Sequence, residues 1–224
     1  MTVVVSAVVV PEDVPTDLRA AAKSLADRKV VRFLDEVSTP PFLVAMQLLR
    51  GPGSTIDPAT VGLFTTSAWE GDVATPTGLE DASDPDRVVR YYLDESNPTD
   101  WLRAMPNDAL CQAAIVGGIR GPNTHFVGGP AALMHCLVTA ERAVADGAAS
   151  AAIVVAFDRD RTTATVRAAG LLLELGSEAG LTEASTVIDA LDPGDGDAVD
   201  ALVASVARSA GGGVATGARA SDGG

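Results

Sequence analysis

Residues 121–147 read GPNTHFVGGPAALMHCLVTAERAVADG, and this stretch decides the fold. The composition of Asn123–Val127 predicts a short strand, the glycine pair after it predicts a tight turn, and Pro130 suits the first position of a helix. The helix is predicted to run to Asp146, where the next glycine stops it. Many enzymes present a nucleophile on a strand that turns through small residues into a helix. Proline has no side-chain atom that can attack a substrate, so this turn lacks a nucleophile.

The composition limits the classes of function. The chain has 224 residues, of which 47% are hydrophobic and 4% aromatic, and such a chain can bury a sizeable core. Its 16 Lys+Arg and 30 Asp+Glu give a formal charge of -14, which repels phosphate backbones and anionic lipids and provides no basic stripe for either. Nucleic acid and membrane are therefore not expected as partners. The two cysteines have no CxxC or disulfide spacing and no leader is evident, so a reduced, cytoplasmic protein is expected.

Short β-rich runs alternate with helical runs, a pattern typical of a layered α/β fold. The predicted strands are residues 2–10, 60–66, 123–127, 151–157, 169–175 and 186–191. The predicted helices are residues 17–27, 40–49, 87–93, 108–118, 130–146 and 198–208. A long surface excursion is predicted at 69–97, a single domain at 1–210 and a disordered tail at 211–224.

The helix that begins at Pro130 is apolar in every direction over its first three turns. An ordinary surface helix is apolar along one stripe only, so this helix is predicted to be buried on all sides. One sheet can cover one side of it, and a second layer must come from elsewhere. A dimer or heteromer would supply that layer. In a stable monomer, residues 198–208 are expected to fold over the exposed face instead.

The stretch 121–147 resembles the nucleophile region of β-ketoacyl synthases of the thiolase superfamily. It has the Gly-Pro opening, the short strand, the small-residue elbow and the helix that ends at Asp-Gly. Three further pieces are similar to strands of these enzymes: SAVVVP at 6–11, VGLFTTSAWEG at 61–71 and AAGLLLELGSEA at 168–179. Family members consist of two repeated βαβαβαββ halves. The resemblance implies that this chain is the first half, a mixed sheet with helices on both faces.

Ketosynthases of this kind place a cysteine at the N-terminus of the buried helix. The helix dipole and backbone N–H groups there favour a thiolate and stabilise the oxyanion of the attacked thioester. The resemblance assigns this position to Pro130, after the elbow residues Gly128 and Gly129. It also implies that the two histidines used in decarboxylation and condensation belong to the second half, which this chain does not hold. Independent ketosynthase activity is therefore not expected.

Cys136, His135 and His125 are the remaining candidates for catalysis. Cys136 lies on the apolar helix, where a free cysteine acts either as a small hydrophobe or as an acyl acceptor. Either histidine can be structural or catalytic. Residues 158–160 follow a strand and are predicted to form a solvated turn. The histidines and cysteines lack zinc-motif spacing, and the glycine pair lacks a Lys or a GxGxxG frame, so neither a metal nor a cofactor is expected.

The strand before the elbow has a further role in the resemblance. In the family it pairs with its twin across the dimer axis, which implies a subunit interface formed by Thr124, His125, Phe126 and Val127.

Two classes of function remain. The first is a non-catalytic, ketosynthase-like subunit of a fatty-acid or polyketide system, which assembles with a catalytic ketosynthase or a second copy and has an acyl carrier protein as a further partner. The alternative is an acyltransferase or thioester hydrolase that uses Cys136 or a histidine on the same scaffold. The proline at the elbow, the missing second half and the apolar helix favour the first class.

Overall fold

The computed structural model describes residues 2–51, 54–68, 84–95, 102, 105–159, 163, 165–176, 181–192 and 196–210. In chain order its elements are β1 (Thr2–Val9), α1 (Leu18–Leu25), α2 (Arg28–Val31), α3 (Thr39–Leu49), β2 (Val61–Ser67), α4 (Pro85–Arg90), α5 (Asp108–Gly117), β3 (Asn123–Val127), α6 (Pro130–Ala145), β4 (Ala151–Arg159), β5 (Val166–Gly176), β6 (Thr182–Glu183), α7 (Ala184–Asp189) and α8 (Ala198–Ala210). Short 3₁₀ turns cover Pro11–Asp13 and Pro58–Thr60, and a π turn covers Tyr91–Glu95. Residues 69–83 and 96–97 of the predicted excursion and the predicted tail at 211–224 lie outside the described residues.

The strands form one six-stranded mixed sheet in the order β3-β2-β4-β5-β1-β6. β2 pairs in parallel with β3 and β4, whereas β5 pairs antiparallel with β4 and β1. The order of elements from β1 to β5 is therefore βαβαβαββ, as the resemblance implies. β2 is buried at every position and β4 at every position but the last. Their near-continuous apolar sequences follow from this burial, because helices cover both faces of the sheet.

Each face of the sheet carries its own hydrophobic core. On one face α6, α7 and α8 pack against the sheet, with Leu133, Leu137 and Leu202 almost fully buried. On the other face α3 lies against β1, β4 and β5, and α1 and α5 pack against α3, with α5 also in contact with β2. Both layers over the described sheet come from this chain. α8 lies where residues 198–208 were expected to fold in a monomer, and a further layer from another chain stays a prediction.

The helix buried on all sides is α3 rather than α6. Ten of the eleven α3 residues are buried, and Gly170 on β5 allows close contact, because a Cβ there would lie 2.7 Å from Val44 Cγ1. In α6 only Leu133, Cys136, Leu137, Ala140 and Val144 are buried. Within this chain, residues 130–146 are therefore buried on one side only, and cover of the other side by a partner stays a prediction. Polar residues in its later turns leave one side of α6 open to solvent.

The predicted strand at 186–191 is also wrong, because this segment belongs to α7. Thr186, Val187 and Ile188 favour a strand by propensity, but tertiary contacts override a preference of that size. Ala184 and Val187 are the buried residues of α7, three positions apart, as a helix with one face on the core requires. The other predicted strands and helices are confirmed within about three residues at each end.

No helix among the described residues is both long enough and apolar enough to cross a lipid bilayer.

Candidate functional site

The three parallel strands end at the same edge of the sheet. β2 ends at Ser67, β3 at Val127 and β4 at Arg159. Ligands of open α/β sheets bind outside the carboxyl ends of such strands. The elbow at residues 128–130 follows β3 directly, so it lies at the edge where a site is expected.

The elbow has the predicted strand-turn-helix form. Gly128 has a φ of 142°, a conformation that favours glycine, and its N–H donates to the Ser67 carbonyl at 2.7 Å. A Cβ on Gly128 would also lie 3.1 Å from the Ala132 Cβ. Gly129 is the N-cap of α6 and Pro130 is its first residue, with no side-chain cap. The turn is therefore built for close backbone approach, but the first helical residue presents a proline ring.

His125 points away from α6. Its neighbour Phe126 packs against the α6 core, whereas the His125 ring lies 5.9 Å from the Phe157 ring, which belongs to the α3 core. Nδ1 is 2.8 Å from Thr65 Oγ1 and Nε2 is 3.5 Å from Ser67 Oγ. Burial lowers the pKa of His125 from 6.5 to about 4. The imidazole is therefore neutral at pH 7, with its hydrogen bonds directed back into β2.

Cys136 and His135 lie elsewhere on α6. Cys136 is 0% exposed within the α6 core, and burial raises the pKa of its thiol far above the usual range. His135 is exposed on the outer side of the same helix. Cys111 on α5 is half-buried, and burial followed by the charge of Asp108 raises the pKa of its thiol. The candidates predicted from sequence are therefore not brought together into one constellation.

Sequence reasoning missed a buried polar group at the end of β2. Thr65, Thr66 and Ser67 are at most 2% exposed. Thr66 Oγ1 is buried without a hydrogen-bond partner among the described residues. The signal in the sequence was a run of three hydroxyl side chains that ends an otherwise apolar strand.

Asp158 corrects the predicted solvated turn at 158–160. It belongs to β4 and is 3% exposed. Its Oδ1 accepts from the Ala68 N–H at 2.5 Å, and its Oδ2 accepts from the N–H of Ala198, the first residue of α8, at 3.0 Å. Burial of a carboxylate requires such donors. Asp158 therefore joins the segment after β2 to the start of α8, while Arg159 ends the strand and Asp160 lies outside the described residues.

Among the described residues, no group of three or more His, Cys, Asp or Glu side chains is arranged to hold a metal ion.

We expect His125 to make the stability of the fold depend on pH. Its pKa is about 4 in the folded chain against an ordinary value of 6.5, so the unfolded chain binds more protons between these pH values. This contribution to stability is complete above about pH 6.5 and is lost as the pH falls towards about 4. Since one pKa unit corresponds to about 1.4 kcal/mol, the loss amounts to about 3 kcal/mol.

Urea unfolding at about pH 7 and about pH 4.5 measures this loss. The wild type should lose about 2 kcal/mol more than His125→Gln over this range, because glutamine cannot take up the proton. His135→Gln is the matched control, since His135 is exposed, and it should follow the wild type. Equal losses of stability in the wild type and His125→Gln would contradict the lowered pKa of His125.

No protein-family model and no curated protein matches the chain. Solved structures do match it. A type II polyketide-synthase acyl-carrier protein in complex with its hexaketide-bound ketosynthase gives a TM-score of 0.54 at 16% identity, over 77% of this chain and 62% of that chain. The ishigamide ketosynthase/chain length factor gives 0.54 at 14% identity, over 82% and 64%. The chain has the fold of thiolase-like ketosynthases.

A third matching structure contains a chain whose number of residues can be compared with that of this chain. The complex of the ketosynthase ApeO with its chain length factor ApeC from Xenorhabdus doucetiae gives a TM-score of 0.50 at 15% identity, over 79% of this chain and 80% of that chain. In the first two matches, by contrast, this chain spans less than two thirds of the matching chain. Because the third match covers nearly equal shares of both chains, this chain and the third matching chain are of nearly the same length.

Proposed function

We propose that this chain is a non-catalytic, ketosynthase-like subunit of a fatty-acid or polyketide system, which assembles with a catalytic ketosynthase or a second copy. The observation that carries the proposal is the elbow. Gly128, Gly129 and the start of α6 keep the backbone form that presents a nucleophile, while the first helical residue is Pro130. A proline ring cannot form an acyl-enzyme intermediate.

The placement of the other reactive side chains supports the absence of acyl chemistry. A thioester carbonyl would have to enter the α6 core to reach Cys136, whose thiol is fully buried and fully protonated at pH 7. His125 lies on the opposite side of the sheet from α6, so it cannot act as a base for that thiol. An acyltransferase or hydrolase that uses Cys136 is therefore disfavoured.

The edge strand β3 supports assembly. β3 is the first strand of the sheet order and pairs with β2 alone among the described strands. Natural edge strands are usually protected by charges, prolines or bulges, whereas Asn123–Val127 has no formally charged residue at pH 7 and 47% of Val127 is exposed. A neutral edge that no other described strand of this chain pairs with is suited to pairing with a strand of another chain.

The similar folds support the nature of the partner. Two of the matching structures contain a chain length factor together with a ketosynthase. One such match is to a chain of nearly the same length as this one. A ketosynthase partner, with an acyl carrier protein as a further one, therefore agrees with the proposed role.

We expect Val127→Lys to weaken assembly by at least about tenfold, because a lysine on the paired edge would have to be desolvated in the interface. Sedimentation velocity of the purified chain, alone and after co-expression with a ketosynthase, measures the association. Leu175→Lys is the matched control, since Leu175 is 39% exposed on β5, which β4 and β2 separate from β3. A wild-type chain that stays monomeric and binds no ketosynthase would overturn the proposal.

A further inference from the structure

A basic cavity lies at the junction of α1 and α2. Its volume is about 560 Å³, and its described lining residues are Arg19, Lys23, Ala26, Arg28, Val31 and Arg32. Four of these six side chains are cations, and none is a carboxylate. All four cationic residues are exposed, so their charged groups can meet a ligand from solvent. No residue of the elbow or of β3 lines this cavity.

The charge of the whole chain conceals this cluster. Residues 18–32 hold five of the 16 Lys+Arg but one of the 30 Asp+Glu. That carboxylate, Asp27, accepts from the N–H groups of Lys29 and Val30 at 2.8 and 3.0 Å and so caps α2. The expectation that an acidic chain provides no basic stripe therefore fails locally. A concentrated cationic surface on an acidic protein attracts anions to this one place.

Helix stability explains only part of the cluster, because Lys23 lies in the last turn of α1, where the helix dipole favours a cation. Arg19 and Lys23 are four residues apart on α1, and Arg28 and Arg32 have the same spacing along α2 and its C-cap. Like charges at this spacing repel each other. Arg19 also lies in the first turn of α1, where the helix dipole disfavours a cation. Within the described part of the chain, Arg19, Lys23 and Arg28 form no ion pair.

The shape of the cavity narrows the chemistry of the ligand. Small-molecule sites typically have volumes of about 300–1,000 Å³ and mostly apolar walls. Ala26, Val31 and the methylene stems of the basic side chains provide such walls here. Arginine guanidinium groups bind phosphate oxygens in pairs and also stack on aromatic rings. Several cations around one apolar cavity therefore suit an organic molecule that carries more than one phosphate.

We propose that the cavity between α1 and α2 binds a small molecule with at least two phosphate groups and an aromatic or apolar remainder, such as a nucleoside diphosphate. Its phosphates contact the charged ends of Arg19, Lys23 and Arg28, and the remainder packs against Ala26 and Val31. The site shares no residue with the elbow or with β3. The proposal for this site can therefore be tested independently of the ketosynthase-like role.

Isothermal titration calorimetry of the full chain with adenosine diphosphate, inorganic phosphate and adenosine tests this proposal. Adenosine diphosphate should bind at least about tenfold more tightly than either fragment, because only it uses both the cations and the walls. Its affinity should fall as salt is raised, because exposed charges are screened. The double variant Arg19→Gln/Lys23→Gln should lose at least about tenfold in affinity, while its melting temperature should not fall, because the variant removes the repulsion between two like charges four residues apart.

The matched control is the double variant Arg120→Gln/Arg142→Gln, which removes two exposed cations outside the cavity and should bind like the wild type. Absence of adenosine diphosphate binding to the wild type at millimolar concentration would overturn the proposal. An equal loss in the control variant would also overturn it, since overall charge would then be responsible. Binding of an acidic carrier protein without binding of adenosine diphosphate would likewise overturn the proposal.

Discussion

Pro130→Cys is expected to gain one covalent acyl group per chain when the protein is incubated with an acyl thioester. The new thiol would stand at the first position of α6, where the helix dipole favours the thiolate. A Cβ built on Gly129 would have nothing within 4 Å, so a carbonyl has room to approach the backbone there. Intact-protein mass spectrometry would detect the adduct. The expected change is from no labelling in the wild type to labelling of most chains.

Condensation is not expected from this variant, because His125 faces the other side of the sheet and His135 is exposed on the outer side of α6. Pro130→Ala is the matched control, since it removes the same ring without adding a thiol, and it should remain unlabelled. An unlabelled Pro130→Cys protein whose new thiol reacts with a small thiol reagent would contradict the view that the elbow can present a nucleophile. Formation of a condensation product would show that the positions of His125 and His135 do not prevent condensation.

Phe42→Ala is expected to lower the free energy of unfolding by about 3–5 kcal/mol. Phe42 is 0% exposed on α3, the helix enclosed between the sheet and α1 with α5. A cavity at this place cannot be filled from solvent, and the surrounding helices can collapse into it only in part. A domain has about 5–15 kcal/mol of stability in total, so this single change would leave a marginal fold.

Urea unfolding measures the loss. Ile115→Ala is the control, since Ile115 is 69% exposed on α5 and its truncation should change stability by no more than about 0.5 kcal/mol. Similar losses for the two variants would mean that α3 is not the central helix of its core.

The parts of the fold that depend on local chemistry could be predicted from the sequence. The strand, glycine pair and helix around Pro130 follow from neighbouring residues, because proline suits the first helical position and glycine allows the positive φ found at Gly128. The continuous apolar runs of β2 and β4 likewise indicate burial on both faces. These segments needed no information from distant parts of the chain.

Burial was harder to predict, because it depends on which helices cover which face. Thr39–Leu49 has no charged residue and is the enclosed helix, whereas α6 carries Glu141 and Arg142 in its later turns. Within this chain α6 is therefore buried along one side only. In α7 the strand propensity of Val187 and Ile188 was overridden by packing on the core.

The polar contacts of the site could not be predicted, because they join residues far apart in sequence. Asp158 accepts from Ala68 and Ala198, which are 90 and 40 residues away. His125 meets Thr65 at a separation of 60 residues. Only the sheet register, in which Thr65 lies opposite His125, brings the last pair together.

The most direct test of the central proposal is intact-protein mass spectrometry of the wild-type chain, with and without a co-expressed ketosynthase, after incubation with an acyl-carrier thioester. We predict that this chain keeps its unmodified mass in both samples, that the thioester persists in its presence alone, and that any acyl group appears on the ketosynthase. A covalent adduct on the wild-type chain that disappears in Cys136→Ala, or consumption of the thioester by this chain alone, would contradict the non-catalytic role.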